Sequence, residues 1–155
     1  MSMTKDEILE QFEEGYDCAQ VVFHYWAERL GLDGKTAYKI STGFGAGMLQ
    51  GETCGAVIGA YMALGLKYGA CEEGRTGEEQ RVAAIIKDVQ FRDKLLEKYS
   101  STMCKELLNA DFSTSEGAKK IRQQKLMTTF CPGRVIYSCT GKSRRQQCSA
   151  VLFYN

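Results

Sequence analysis

Proline occurs once in this 155-residue chain, at Pro132, and histidine once, at His24. So little proline removes the commonest helix breaker. A single imidazole leaves one place for histidine-based acid–base or metal chemistry. No apolar run crosses a bilayer: the longest, Cys54 to Leu66, falls short of the roughly 18 residues needed and reads as a buried helix. Excess charge is missing as well, with 20 Lys and Arg against 19 Asp and Glu. Nucleic acid, a membrane surface and a strongly charged substrate are therefore not expected as partners. Local metal spacings are absent too: there is no C-x-x-C, no ferredoxin run and no C-x-x-C-H for haem attachment.

What the chain does have is apolar content, at 44%, enough to exclude disorder and to build one domain with its own core. The segment after Met1 turns acidic at Asp6 and Glu7, where the apolar part of a secretory leader would begin. The cytoplasm, a reducing compartment, is the expected location. Seven cysteines then stand out: Cys18, Cys54, Cys71, Cys104, Cys131, Cys139 and Cys148. An odd number cannot close a disulfide framework. In a reducing compartment such residues bind metal, catalyse or are simply buried.

Helix punctuation is dense. Thr4 with Glu7 forms a capping box ahead of Ile8, Leu9 and Phe12. Asp17 caps a second helix with Ala19, Val22, Phe23, Trp26 and Leu30 on one face, and Asp33 a short third. A glycine-rich loop, Gly43 to Gly51, leads to Thr53 as cap of a helix from Cys54 to about Tyr68. There Gly55, Gly59 and Ala63 recur every four residues, a stripe that lets another helix come close. Thr76 with Glu79 opens a long helix carrying Val82, Ile85, Ile86, Val89, Leu95, Leu96 and Tyr99 on one side. Ser101 starts a short helix bearing Cys104, Ser113 with Glu116 a further one, and Pro132 the last. The fold class is all-α: a single-domain bundle of about six to seven helices. Residues 1–138 form the helical domain, followed by an atypical tail over 139–155, basic at Lys142, Arg144 and Arg145 and then apolar. That tail leaves room for a homodimer in which it reaches a neighbouring copy.

Cys18 and Cys54 each follow a cap candidate and Cys131 precedes Pro132, so all three sit at helix starts. Unsatisfied N–H groups and the helix dipole there favour a thiolate. Asp17 works against this at Cys18 by charge repulsion. The glycine loop is no P-loop, because no Lys-Ser/Thr pair follows and no strand precedes. It is expected instead to supply positive-φ turns beside Cys54. Gly45, Gly47, Gly51 and Gly55 would then line a cofactor, their N–H groups cradling cluster sulfides or an anion. His24 reads as a partly buried structural residue.

These segments together resemble the redox-active protein family named C_GCAxxG_C_C. The resemblance rests on Cys18 in Gly15-Tyr16-Asp17-Cys18-Ala19-Gln20, Cys54-Gly55-Ala56-Val57-Ile58-Gly59 after its glycine loop, Cys104 in Met103-Cys104-Lys105, and Cys131 before Pro132. It spans about Glu7 to Tyr137. It implies a helical fold, four functional cysteines and a redox role, but no substrate. The chain is also similar to the cluster-carrying part of some multihaem-type electron-transfer proteins, although it has no haem motif. Cys71, Cys139 and Cys148 match no family cysteine, and the segment after Tyr137 departs from the pattern.

Three readings stay open. Cys18, Cys54, Cys104 and Cys131 hold an iron–sulfur cluster or, less readily, zinc, and exchange electrons with an unidentified redox partner. Pairs of the same cysteines cycle as disulfides. Or the bundle is a non-catalytic interaction protein whose cysteines are structural. Whether the chain is an enzyme follows from none of these residues.

Overall fold

The structure, a computed structural model, describes residues 3–140. The tail beyond Thr140, with Cys148 and its basic and apolar stretches, lies outside the described residues. The helices are α1 (Lys5–Glu13), α2 (Cys18–Arg29), α3 (Gly34–Ser41), α4 (Gly55–Tyr68), α5 (Gly74–Lys98), α6 (Cys104–Leu108), α7 (Ser115–Gln123), α8 (Leu126–Thr129) and α9 (Cys131–Thr140). Among the described residues there is no β-strand, only one isolated bridge, Thr53 with Met103. The all-α expectation holds, with nine α-helices among the described residues where about six to seven were expected. Among the described residues no helix is long and apolar enough to cross a membrane.

The first caps form as their chemistry requires. The Thr4 hydroxyl accepts from Glu7 N–H while the Glu7 carboxylate takes Thr4 N–H. Asp17 accepts from Ala19 and Gln20, and Gln20 returns the bond to Asp17 N–H at 3.0 Å. Asp33 accepts from Thr36 N–H. Three other caps differ from expectation. Cys54 itself, not Thr53, occupies the cap of α4, because Thr53 is held in the bridge. Helix α5 begins two residues before Thr76, since Gly74 at φ +62 turns the chain into the helix early. Thr114, not Ser113, caps α7, because the Ser113 N–H and hydroxyl are both taken by the Asp111 carboxylate.

Helices α2 and α4 cross at the centre. A Cβ on Gly59 would lie 2.7 Å from Ala19 O and 2.9 Å from Val22 Cβ, so the small-residue stripe does bring the two backbones together. Around this pair Val21, Val22, Phe23, Trp26, Val57 and Leu64 pack with Ile8, Phe91, Leu95 and Val135 into the main core. Trp26 Nε1–H donates to Ser138 O at 3.2 Å, tying α9 to α2. A second, smaller core gathers Cys104, Leu108 and Ile121, with Phe112, Leu126, Met127, Phe130 and Cys131 against them.

Helix α5 corrects one expectation. Phe91 and Leu95 face the core, but Val82, Ile85, Ile86, Val89 and Leu96 are 38–54% exposed. At 100° per residue these five form a second apolar stripe, on the side away from Phe91 and Leu95. The sequence placed Leu95 on one side with Val82, Ile85, Ile86, Val89 and Leu96, whereas Leu95 turns to the core with Phe91 and the others do not.

Candidate functional site

Four cysteines meet at the seam between the two cores. Cys18 is the first residue of α2, Cys54 the cap of α4, Cys104 the first residue of α6 and Cys131 the first of α9. Cys18 and Cys54 belong to the main core, Cys104 and Cys131 to the smaller one. All four line one cavity with Ala46, Ala56, Leu107, Leu108, Met127, Phe130 and Arg134. It encloses about 10 Å³ of free space, room for roughly one water molecule.

The bridge explains how residues fifty positions apart arrive together. Cys54 N–H donates to Thr102 O at 2.8 Å, and Cys104 N–H to Glu52 O at 2.6 Å. The two cysteines thus flank the Thr53–Met103 bridge and share its face, because side chains alternate along extended chain. Lys105 Nζ and the Glu52 carboxylate close the outside of this clip at 3.1 Å.

The glycine loop shapes the other side. Ala46, Gly47, Met48 and Leu49 all have positive φ, between 52° and 64°. They make one left-handed turn, a conformation that costs a non-glycine residue about 1–2 kcal/mol. Its result is that Ala46 N–H points at the Cys18 sulfur. Gly47 is needed twice, for its φ of +64 and because a Cβ would sit 2.9 Å from Cys104 Cβ. A Cβ on Gly55 would lie 2.6 Å from Cys18 Sγ. A Cβ on Gly45 would lie 2.4 Å from Asp17 Cβ, and one on Gly51 3.1 Å from both Asp111 Oδ1 and Lys105 Cβ. All four glycines therefore admit the neighbours that frame the site.

The shifts at Cys18 and Cys131 run opposite to the lowering that a helix start would give. The Cys18 thiol is raised well above its ordinary value, first by its hydrogen bond with Cys54, then by burial, with Asp17 adding to the effect. Burial pushes Cys104 up to about 12, with Cys18 and Cys131 contributing. It pushes Cys131 to about 12 as well, opposed by Arg134. A helix terminus offers about 0.3–1 kcal/mol to an exposed charge. Burial in an apolar cavity outweighs that. The six cysteines among the described residues are all free thiols.

Arg134 was not singled out by the sequence. Among the described residues it is the one charged residue lining the cavity. Its guanidinium stacks on the Phe130 ring, 3.0 Å from the centroid, and lies 4.6 Å from that of Tyr99. Nη1 donates to Phe130 O at 2.9 Å, while the buried Nε has no hydrogen-bond partner. Burial lowers the guanidinium from its ordinary value, and Tyr99, Cys131 and Cys54 act the other way. The only sequence signal was its place three residues after Cys131.

The remaining candidates lie elsewhere. His24 stacks on Tyr38, 4.1 Å between centroids, and Tyr38 on Tyr16. His24 is absent from the cysteine cavity and lines a surface cleft with Glu7, Glu10, Gln11, Glu14 and Glu28. Cys71 is exposed on the loop before α5. Cys139 is buried in the main core, 1% exposed, and continues α9 past Tyr137.

A cluster ligated by four thiols fits the donor set here: four sulfurs on one enclosed cavity with one cation beside them and no competing carboxylate or imidazole in the lining. Among the described residues no three of His, Cys, Asp or Glu are set as a metal site.

A sequence model of one protein family, described as "Putative redox-active protein (C_GCAxxG_C_C)", matches residues 16–144. No curated protein and no solved structure is significantly similar to the chain.

Proposed function

Given that the chain belongs to the C_GCAxxG_C_C family of redox-active proteins, we propose that it carries electrons through an iron–sulfur cluster held by Cys18, Cys54, Cys104 and Cys131. One observation carries this reading: four cysteines from four separate segments line a single apolar cavity. Chance burial of a small, apolar residue type gives no reason for all four to share it while Cys139 is buried elsewhere. Bound there, a cluster supplies one-electron transfer without proton release or bond cleavage. The protein's part is to exclude water, to offer backbone N–H groups such as that of Ala46, and to place a guanidinium nearby.

The test is anaerobic purification of the full chain, incubation with ferrous iron and sulfide, and assay of both. Bound iron and acid-labile sulfide in matching amounts, lost in Cys54→Ser and in Cys104→Ser, are the expected result. A colourless, metal-free protein after reconstitution would sink the reading.

A second reading has its own support. Cys18 and Cys54 line the same cavity, and Cys54 is the leading influence on the Cys18 thiol, the proximity a dithiol needs before it loses two electrons and two protons to form an S–S bond. In that case, peptide mapping after poising the chain in an oxidised glutathione gradient finds Cys18 linked to Cys54. Thiols that stay free throughout the gradient count against it.

A further inference from the structure

We infer that Arg134 is the internal counter-charge of the four-cysteine site and favours its more negative, reduced state. The inference rests on the cluster reading above and adds a residue to it that no family pattern or sequence motif marked. Three observations carry it.

The first is that the guanidinium is anchored without being neutralised. It is held by the Phe130 and Tyr99 rings and by one carbonyl, all uncharged. No carboxylate pairs with it among the ion pairs of the described residues. Arg134 is half-buried with its Nε fully so, and drawing a cation even partly out of water without an anion is costly, which suits a negative charge that arrives in the working state. The second is the unpartnered, buried Nε, a donor left in reserve where a lone buried N–H ordinarily costs about 1–3 kcal/mol. The third is place. Of the described residues lining the cavity, the only ones that can turn negative are the four cysteines. The cation and its prospective anion thus share one water-poor space, where charge interactions are stronger than at the surface.

Reduction adds one electron to the site, given up by a reduced carrier that is itself oxidised by one electron. No bond forms or breaks and no proton moves. The site's negative charge rises by one beside a fixed positive charge. Arg134 therefore acts through the cysteines as a positioning residue and touches no partner directly.

The experiment uses the full chain, reconstituted with iron and sulfide, and compares the wild type with Arg134→Met, Arg134→Gln and Arg134→Lys by spectroscopic redox titration. Removing the charge is expected to lower the reduced-to-oxidised ratio at fixed potential tenfold or more, about 59 mV for one electron. Gln has the same expectation and carries the test if the Met variant does not fold. Lys, which keeps the charge, is expected to recover most of the shift. A second readout does not depend on electron transfer: the rise in Tm on iron loading should be smaller in the Met or Gln variant than in the wild type, because the metal-free wild type carries an unpaired buried cation. Equal potentials in the wild type and the Met or Gln variant overturn the assignment. So does a Lys variant shifted as far as Gln, since shape and not charge would then matter. A wild-type chain that loads iron but has no reversible couple overturns the functional reading and this assignment together.

Discussion

Replacing Gly55 with alanine places a Cβ 2.6 Å from Cys18 Sγ, 2.9 Å from Phe44 O and 3.0 Å from Gly45 Cα. Two of these three neighbours are backbone, so no rotamer change relieves the clash. Either the glycine loop or α2 must move. Overpacking of this kind costs about 1–3 kcal/mol, and alanine's better helix propensity returns up to about 1 kcal/mol. The net expectation is a loss of about 1–2 kcal/mol, and at roughly 2–4 °C per kcal/mol for a chain this size Tm falls by about 2–8 °C. Gly65, in the same helix and exposed, is the control: nothing lies within 4 Å of its Cβ position. Alanine there should stabilise by about 0.5–1 kcal/mol, by propensity alone. Urea unfolding followed by far-UV circular dichroism gives both values on one scale. The Gly55 variant should also lose iron on reconstitution, because Cys18 is the residue displaced. Two variants that stabilise equally would refute the close approach, and with it the account of how Cys18 is held.

Stability should depend on pH through the buried thiols. Cys104 and Cys131 are raised from 9.0 to about 12 in the folded chain, so between those values the unfolded chain loses protons the folded one keeps. Metal-free stability is expected to be level below about pH 9. Above it, each thiol should remove about 1.4 kcal/mol per pH unit up to about pH 12; a curve that rises between pH 9 and 11 would contradict the burial of these groups. On α5, Ile85→Lys and Ile86→Lys should each change stability by no more than about 0.5 kcal/mol, since both side chains are half exposed; a loss of several kcal/mol in urea unfolding would return that stripe to the core. Leu49→Gly, at φ +60 and 68% exposed, should stabilise by about 1 kcal/mol as left-handed strain is released. Cys139→Ala should leave iron binding unchanged in the same assay that Cys54→Ser abolishes, because Cys139 lies outside the cavity.

Much of the helical order was legible in local chemistry. Capping by Thr4, Asp17 and Asp33 acts within three residues, so it can be read along the chain. The Gly55, Gly59, Ala63 stripe announced a close helix contact because a missing side chain has one plain consequence, a nearer neighbour. Where two local signals competed, the reading slipped. Ser113 is as good a cap as Thr114 until Asp111 takes its donors.

The sequence by itself determined that this is an all-α chain with cysteines at helix starts beside a glycine loop, because caps, helical periodicity and missing side chains act over a few residues. Only the tertiary structure decided that Cys54 and Cys104 share one face, since a two-bond bridge between residues fifty apart leaves no local trace. It also decided that the Cys18, Cys104 and Cys131 thiols are shifted upward. Helix-dipole stabilisation can be read from position, whereas desolvation depends on what packs above the sulfur. It alone put Arg134 beside them, as burial of a cation is a property of the neighbours around a side chain and not of its place in the chain.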